Sequence, residues 1–378
     1  MRVLHLWDNY APGLFDQSLA ICREEGIETA LVCMTLIGAP ASQGVRFVRQ
    51  VDQVHSSPSF LGRVRNRLRR ALDERAFRQM AQAEIGRFQP DVLHIHYGTT
   101  GALLASQPTI LGTPFVVSYY GFDISQGIQD ARIRTAYRRM MRCDPLVHIL
   151  CDEAAQRAIG VGASPDRIVD ANLPVPVERY PLIGIGGSIT RWLIPARFVE
   201  KKGHEILFQA FARHLELHPN HRLTCWGYGD GDRLRTLVQS LGLESSVNVI
   251  NNESQGPFDT AYLAQLHRHD VVLAPSIRAA RGDDEGGPAL TAVLAQVAGK
   301  PVILSDFPGS ERSVSDGIEG LIVPQGDADG LTEAMHKLVA DPALARKMGQ
   351  AGRNRAMREF SREAYRDALL GWYRRLAA

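Results

Sequence analysis

Short apolar runs rich in valine, isoleucine and leucine recur along this chain, each followed by a longer amphipathic stretch, and this alternation constrains the fold more than any other feature. A parallel strand covered by helices on both faces is buried on both sides, so it reads as a continuous apolar run. The pattern predicts an α/β chain of parallel strands joined by helices. A first series comprises Val3–Leu6, Thr29–Cys33, Val92–His96, Pro114–Ser118 and Leu146–Leu150. A second comprises Trp192–Ala196, Arg222–Trp226, Val247–Ile250, Asp270–Ala274, Pro301–Leu304 and Gly320–Val323, separated by helical stretches such as His204–His214 and Thr332–Ala340.

Between the two series, Asn172–Ser188 is rich in proline and glycine and has no helical periodicity, which marks it as a linker. At 378 residues and 45% hydrophobic content the chain can bury two cores. The expected domains are 1–175 and 186–360, each doubly wound, followed by a helix over 361–378. Ser361 suits that helix's N-cap, and Tyr365, Leu369, Trp372 and Leu376 form an apolar stripe that must pack somewhere, expected on the first domain. Asp341–Pro342 marks another helix start.

The net charge of +2 argues against a nucleic-acid coat. Five scattered cysteines without C-x-x-C spacing read as reduced core residues. Arg2 precedes a short strand-like run instead of a signal peptide's long apolar region, and no stretch approaches the ~18 apolar residues that span a bilayer, so the expected location is the cytoplasm. Contact with the inner face of the membrane stays open through Leu61–Leu72, where Arg63, Arg65, Arg67, Arg69 and Arg70 accompany Leu61, Val64, Leu68 and Leu72 at helical spacing. The same stripe can pack on the first domain and leave the arginines in water.

Two segments carry chemistry. In Val271–Leu304 a strand leads through Asp283-Asp284-Glu285-Gly286-Gly287-Pro288 into a helix that Gly299 ends, with Pro288 suited to the first helical turn. The glycines let backbone approach a ligand where a helix N-terminus favours phosphate, while the acids suit hydroxyl donors such as a sugar. The strand Trp192–Ala196 runs into Arg197 and Lys202, whose fork and point charge at a strand's carboxyl end suit a diphosphate. Asp230-Gly-Asp232 has the spacing of a metal-binding D-x-D pair, while its resemblance to a family's G-D-G turn implies that it opens a helix.

These residues resemble the family-four retaining glycosyltransferases of GT-B fold, in their polysaccharide-forming bacterial branch. "ARFVEKKGHEIL" is similar to the family's G-R-x-x-x-x-K-G loop, and "LAPSIRAARGDDEGGPALTAVLAQVAGKPVIL" to its acid-glycine loop and signature helix. "DVLHIHYG" and "VVSYYGFDIS" resemble its H-x-H-F-G and H-G-x-D strand ends. The resemblance implies two facing Rossmann-like domains, a nucleotide-diphosphate sugar as donor, a saccharide or lipid-linked saccharide as acceptor, and neither cofactor nor metal. It places Arg197, Lys202 and Glu285 on the donor and in catalysis, with Gly13, Gly286, Gly287, Pro288, Leu290 and Thr291 lining the donor. His96, Tyr120 and Asp123 fall on the acceptor or sugar side, with Asp123 or a donor phosphate oxygen assisting acceptor deprotonation.

Two departures are plain. Tyr120 stands where the family has a histidine, and Val293 or Leu294, depending on the count, stands where it has a ribose-binding glutamate. Thr291 or Gln296 is then left to bond the ribose. A GT-B protein that binds sugar nucleotide or a partner without turnover, and a sugar-nucleotide epimerase, are the alternative readings.

Overall fold

The computed structural model describes residues 1–10, 17–37, 45–51, 60–253 and 258–378, except for the side chains of residues 45, 49, 51, 60–68, 108 and 109. The chain forms two compact units, Met1–Pro174 together with Arg362–Ala378, and Val175–Ser361.

The first unit is built on β1 (Arg2–Tyr10), β2 (Glu28–Ile37), β3 (Val45–Val51), β4 (Val92–His96), β5 (Phe115–Ser118), β6 (Leu146–Ile149) and β7 (Ile168–Asp170). They pair in parallel in the order β3-β2-β1-β4-β5-β6-β7. In the second, β8 (Arg191–Pro195), β9 (Arg222–Gly227), β10 (Val247–Asn251), β11 (Val271–Ala274), β12 (Val302–Ser305) and β13 (Leu321–Val323) pair in parallel as β10-β9-β8-β11-β12-β13. Each order turns around between its first and fourth strands, β1 beside β4 and β8 beside β11. At such a point the connections leave in opposite directions and open a crevice beyond the carboxyl ends of the strands.

The central strands are buried at nearly every position, which explains why they read as unbroken apolar runs. Two strands fall outside the expected set. β3 interrupts its apolar residues with Arg46, Arg49 and Gln50 at a sheet edge, and β7 has three residues at the opposite edge, so neither carries the signature of a two-sided core strand.

From Val175 on, the segment expected to be a linker belongs to the second unit. Val175, Tyr180 and Ile185 are buried there, and Val175 N donates to Phe360 O at 2.9 Å. The C-terminal helix Arg362–Ala377 belongs to the first unit, burying Tyr365, Leu369, Trp372 and also Tyr373, while Leu376 is half-buried. Its Arg362 pairs with Glu24 at 2.5 Å. At the start of helix Pro342–Glu359, Asp341 accepts from Leu344 N at 2.9 Å, a working N-cap.

Four cysteines are free and buried, but Cys143 is exposed and lies outside the expected core set. The arginine-rich segment opens the helix Phe60–Phe88. Arg69 and Arg70 are exposed, and Leu72, expected in the packed stripe, is 68% exposed; the other side chains of the stripe lie outside the described residues. No helix among the described residues is long and apolar enough to cross a membrane.

Candidate active site

In the second unit, the carboxyl ends of β8 and β11 are brought together by Gly203. A Cβ there would lie 1.8 Å from Pro275 O, and its φ of +70° is one that other residues rarely adopt. The loop after β8 therefore touches the loop after β11 along their backbones, with Ile277 N donating to Lys201 O at 2.8 Å.

The acidic loop is neutralised residue by residue. Lys201 is buried, and its Nζ donates to Asp284 O at 3.0 Å and to Asp283 Oδ1 at 3.2 Å. Arg278 pairs with the buried Asp284 at 3.0 Å. Lys202 Nζ lies 2.5 Å from Glu285 Oε1, and Ser276 Oγ donates to the same oxygen at 2.8 Å. Burial alone would raise the Glu285 carboxyl, but Lys202, Lys201 and the two hydrogen bonds outweigh it and hold the group below its usual range. Glu285 is thus a fixed carboxylate whose repulsion toward a phosphate is already compensated.

Arg197 is different. It is exposed and has no ion pair or side-chain hydrogen bond among the described residues, so its fork is available to a ligand. The structure therefore groups Arg197, Lys202 and Glu285 at one switch point and separates their states: one open cation and one locked pair. Lys201 and Ser276, which sequence reasoning missed, are the residues that hold the pair and its loop; neither stands out from its neighbours in the string.

The helix opens later than expected, at Leu290, with Ala289 as its cap residue and Pro288 outside its first turn. Gly287 is pressed against Gly309, where a Cβ would sit 2.5 Å from the Gly287 Cα, and this fixes the path of Gly286 and Gly287. Val293 and Leu294 are buried in the core of the unit. Gln296 is buried too and donates one N–H to Ser313 O at 3.0 Å. Thr291 remains as the half-buried hydroxyl of this helix, while its carbonyl accepts from Tyr262 at 2.7 Å. Asp230 caps the helix Gly231–Ser240 by accepting from Arg233 N at 3.1 Å, and Asp232 pairs with Arg235, as expected of a turn.

In the first unit, buried histidines line the carboxyl ends of β4 to β6. His148 Nε2 donates to Ala171 O at 3.0 Å, so the neutral ring must accept at Nδ1, which makes Ser118 the donor there at 2.9 Å. His94 Nε2 then donates to Ser118 Oγ at 2.8 Å, and Tyr373 donates to His94 Nδ1 at 2.7 Å. Both nitrogens of His94 are consumed by a single directed chain. His96 is likewise bonded twice, to Tyr120 OH at 2.8 Å and to His5 Nδ1 at 3.0 Å, and it stacks on Trp7 at 3.9 Å. Burial drives the imidazoles down, His5 to about 3 and His148 to about 4, so they are neutral. His5, His94 and His96 lie close enough to hold a metal, but the paired nitrogens of His94 leave it no lone pair to offer.

Asp123 is fully buried, and its carboxylate accepts from Gly98 N at 2.7 Å and from Tyr120 N and Gly121 N at 3.1 Å. The group thereby staples the loop after β5 to the turn after β4. Burial, partly offset by those amides, pushes its carboxyl up to about 6. Tyr120 is half-buried. Gly13 lies outside the described residues.

The comparisons with known proteins follow the same division. Residues 191–355 match the family model "Glycosyl transferases group 1" and residues 17–169 match "Glycosyl transferase 4-like domain". The chain is 27% identical over 313 residues to D-inositol 3-phosphate glycosyltransferase of Thermobifida fusca, covering 75% of this chain and 69% of that one. It is 26% identical over 287 residues to the amylovoran biosynthesis glycosyltransferase AmsK of Erwinia amylovora, covering 74% and 69%. Among solved structures, sucrose-phosphate synthase from Thermosynechococcus elongatus superposes with a TM-score of 0.78 at 18% identity, over 100% and 99% of the two chains. Anabaena Alr3699/HepE in complex with UDP gives 0.71 at 16%, over 100% and 98%.

Proposed function

We propose that this chain, which belongs to the family-four glycosyltransferases and has their GT-B fold, transfers a sugar from a uridine-diphosphate donor to a saccharide or lipid-linked saccharide of a bacterial surface polysaccharide, with retention and without a catalytic metal. The observation that carries the reading is that Arg197, exposed and without an ion pair or side-chain hydrogen bond among the described residues, follows β8 at the same switch point as the Lys202–Glu285–Ser276 node. The donor follows from the UDP complex of a structural neighbour, and the acceptor from the names of polysaccharide-forming relatives such as AmsK. The reaction then takes place on the cytoplasmic side, where nucleotide sugars are made.

The bond between the anomeric carbon and the departing phosphate oxygen breaks, its electron pair staying on that oxygen, while the acceptor oxygen bonds to the carbon. Arg197 and Lys202 neutralise the charge that builds on the diphosphate, with the amides at the start of helix Leu290–Val297 in support. Glu285, held ionised, accepts hydrogen bonds from sugar hydroxyls. The acceptor proton passes to a donor phosphate oxygen, because Asp123 is buried with its oxygens taken by backbone amides. Tyr120 is backed by His96 and His5 within the first unit.

A second reading, donor binding without transfer, is favoured by the apolar Val293 and Leu294. One experiment separates them: isothermal titration with UDP, GDP and ADP sugars, followed by nucleotide release in the presence of lipid and saccharide extracts. Binding with acceptor-dependent release supports transfer, binding alone supports the second reading, and release of an isomerised sugar nucleotide without acceptor identifies an epimerase. Absence of any binding sinks the donor site.

A further inference from the structure

Four of the chain's twelve histidines gather in the second unit at the edge opposite the candidate active site. His214 lies near the end of helix His204–Leu217, His218 just beyond it, His221 immediately before β9, and His336 on helix Ala328–Ala340. These helices pack together, with Thr332 Oγ1 donating to Ala210 O at 3.2 Å. The His214 ring centroid lies 4.7 Å from that of His218 and 5.0 Å from that of His336. One nitrogen from each of His214, His218 and His336 lies within 4.8 Å of the other two.

The tautomers follow from one fixed donor. Trp192 Nε1 can only donate, and it does so to His221 Nδ1 at 3.4 Å, so that nitrogen is an acceptor. His214 Nε2, 2.9 Å from the same nitrogen, must therefore be its second donor. This leaves His214 Nδ1 as a bare lone pair in a fully buried side chain, and it has no hydrogen-bond partner. His336 Nε2 is likewise buried and unpartnered. A metal-bound imidazole is normally held by a hydrogen bond from its other nitrogen, which is the relation His214 has with His221.

We infer that His214, His218 and His336 form a binding site for a borderline divalent cation of the zinc class, oriented by His221 and Trp192. Imidazole is the ligand these ions prefer, and in zinc sites the bonds are about 2.0–2.1 Å long. Donor nitrogens around one ion then stand roughly 3.3 Å apart, so the half-buried His218 and His336 rings must close in by about 1 Å or more, which rotation about their side-chain bonds supplies. The nearby Glu333 favours a cation there, and Arg213, on the same helix pair, is neutralised by Asp329 at 2.9 Å. The ion ties two helices together and lies outside the transfer chemistry.

The test uses the full, tag-free chain stripped with a chelator and titrated with Co2+ alone, then with Zn2+ in competition. One equivalent of Co2+ should develop intense tetrahedral ligand-field absorption that Zn2+ displaces, and Zn2+ should raise the melting temperature. His218→Gln and His336→Gln, both at half-buried positions, should each weaken binding at least tenfold, while a His96→Gln control binds as the wild type does. Absence of the absorption, or uptake by the His218→Gln/His336→Gln double variant equal to wild type, overturns the site.

Discussion

Arg197 and Lys202 are five positions apart and serve the same ligand in the reading above, yet their substitution should have opposite signatures. Arg197 is exposed and has no ion pair or side-chain hydrogen bond among the described residues, so Arg197→Ala should leave stability within about 0.5 kcal/mol, as for other featureless surface sites. Its loss from a charged diphosphate removes charge-assisted bonds worth about 1.5–3 kcal/mol, a fall of roughly ten- to a hundredfold in kcat/KM. Lys202→Ala leaves Glu285 with Ser276 as its nearest donor and Lys201 at 4.0 Å. Breaking a fully buried pair costs about 3–5 kcal/mol; with side chains 19% and 12% exposed, about 1–3 kcal/mol is the discounted value. At about 2–4 °C per kcal/mol for a domain of this size, Lys202→Ala should melt several degrees lower as well as losing donor binding. Calorimetry and UDP-sugar turnover on the same preparations make the comparison. Wild-type kcat/KM in Arg197→Ala refutes the clamp, and an unchanged melting temperature in Lys202→Ala refutes the locked pair.

Gly203→Ala should cost more than about 2 kcal/mol in denaturant unfolding, since a Cβ would strike Pro275 O in a backbone conformation alanine avoids; a loss under 0.5 kcal/mol would show that the two loops do not meet as described. Asp123→Ala orphans three backbone amides, and at about 1–3 kcal/mol each it should reduce stability strongly; a stable protein devoid of turnover would restore Asp123 to the chemistry. His5, His94, His96 and His148 have pKa values well below those of the unfolded chain, so below about pH 6.5 the unfolded state binds more protons and stability falls as pH drops toward about 4. Urea midpoints at pH 7 and pH 5 measure this, and His5→Gln should lessen the decline; an equally steep decline in the variant would contradict a neutral buried His5.

The central strands of both units were within reach of pattern reading because a two-sided parallel strand is a local apolar run, and the strands ending at His96 and Pro195 also delimit the edge where ligands of such sheets bind. Edge strands β3 and β7 escaped it because one flank of each lacks a neighbour, which relaxes the demand for continuous apolar residues. Lys202 and Glu285 were legible from motif spacing. That Lys201, its neighbour, turns inward to hold the acidic loop was not, because adjacent lysines look alike until a second segment comes to rest against one of them.

By itself, then, the sequence determined the two parallel sheets and the helix start at Asp341–Pro342, and it singled out Arg197, Lys202 and Glu285 as candidates, all of which depends on periodicities and local chemistry within a few turns of chain. Tertiary structure alone decided how these polar groups are paired: Lys202 meets Glu285 across 83 positions, Asp123 accepts from the amides of Gly98, Tyr120 and Gly121, and Gln296 donates to Ser313. Those outcomes depend on how distant segments pack, and burial makes each pairing compulsory because an unpaired polar group in a close-packed interior costs more than it does in water.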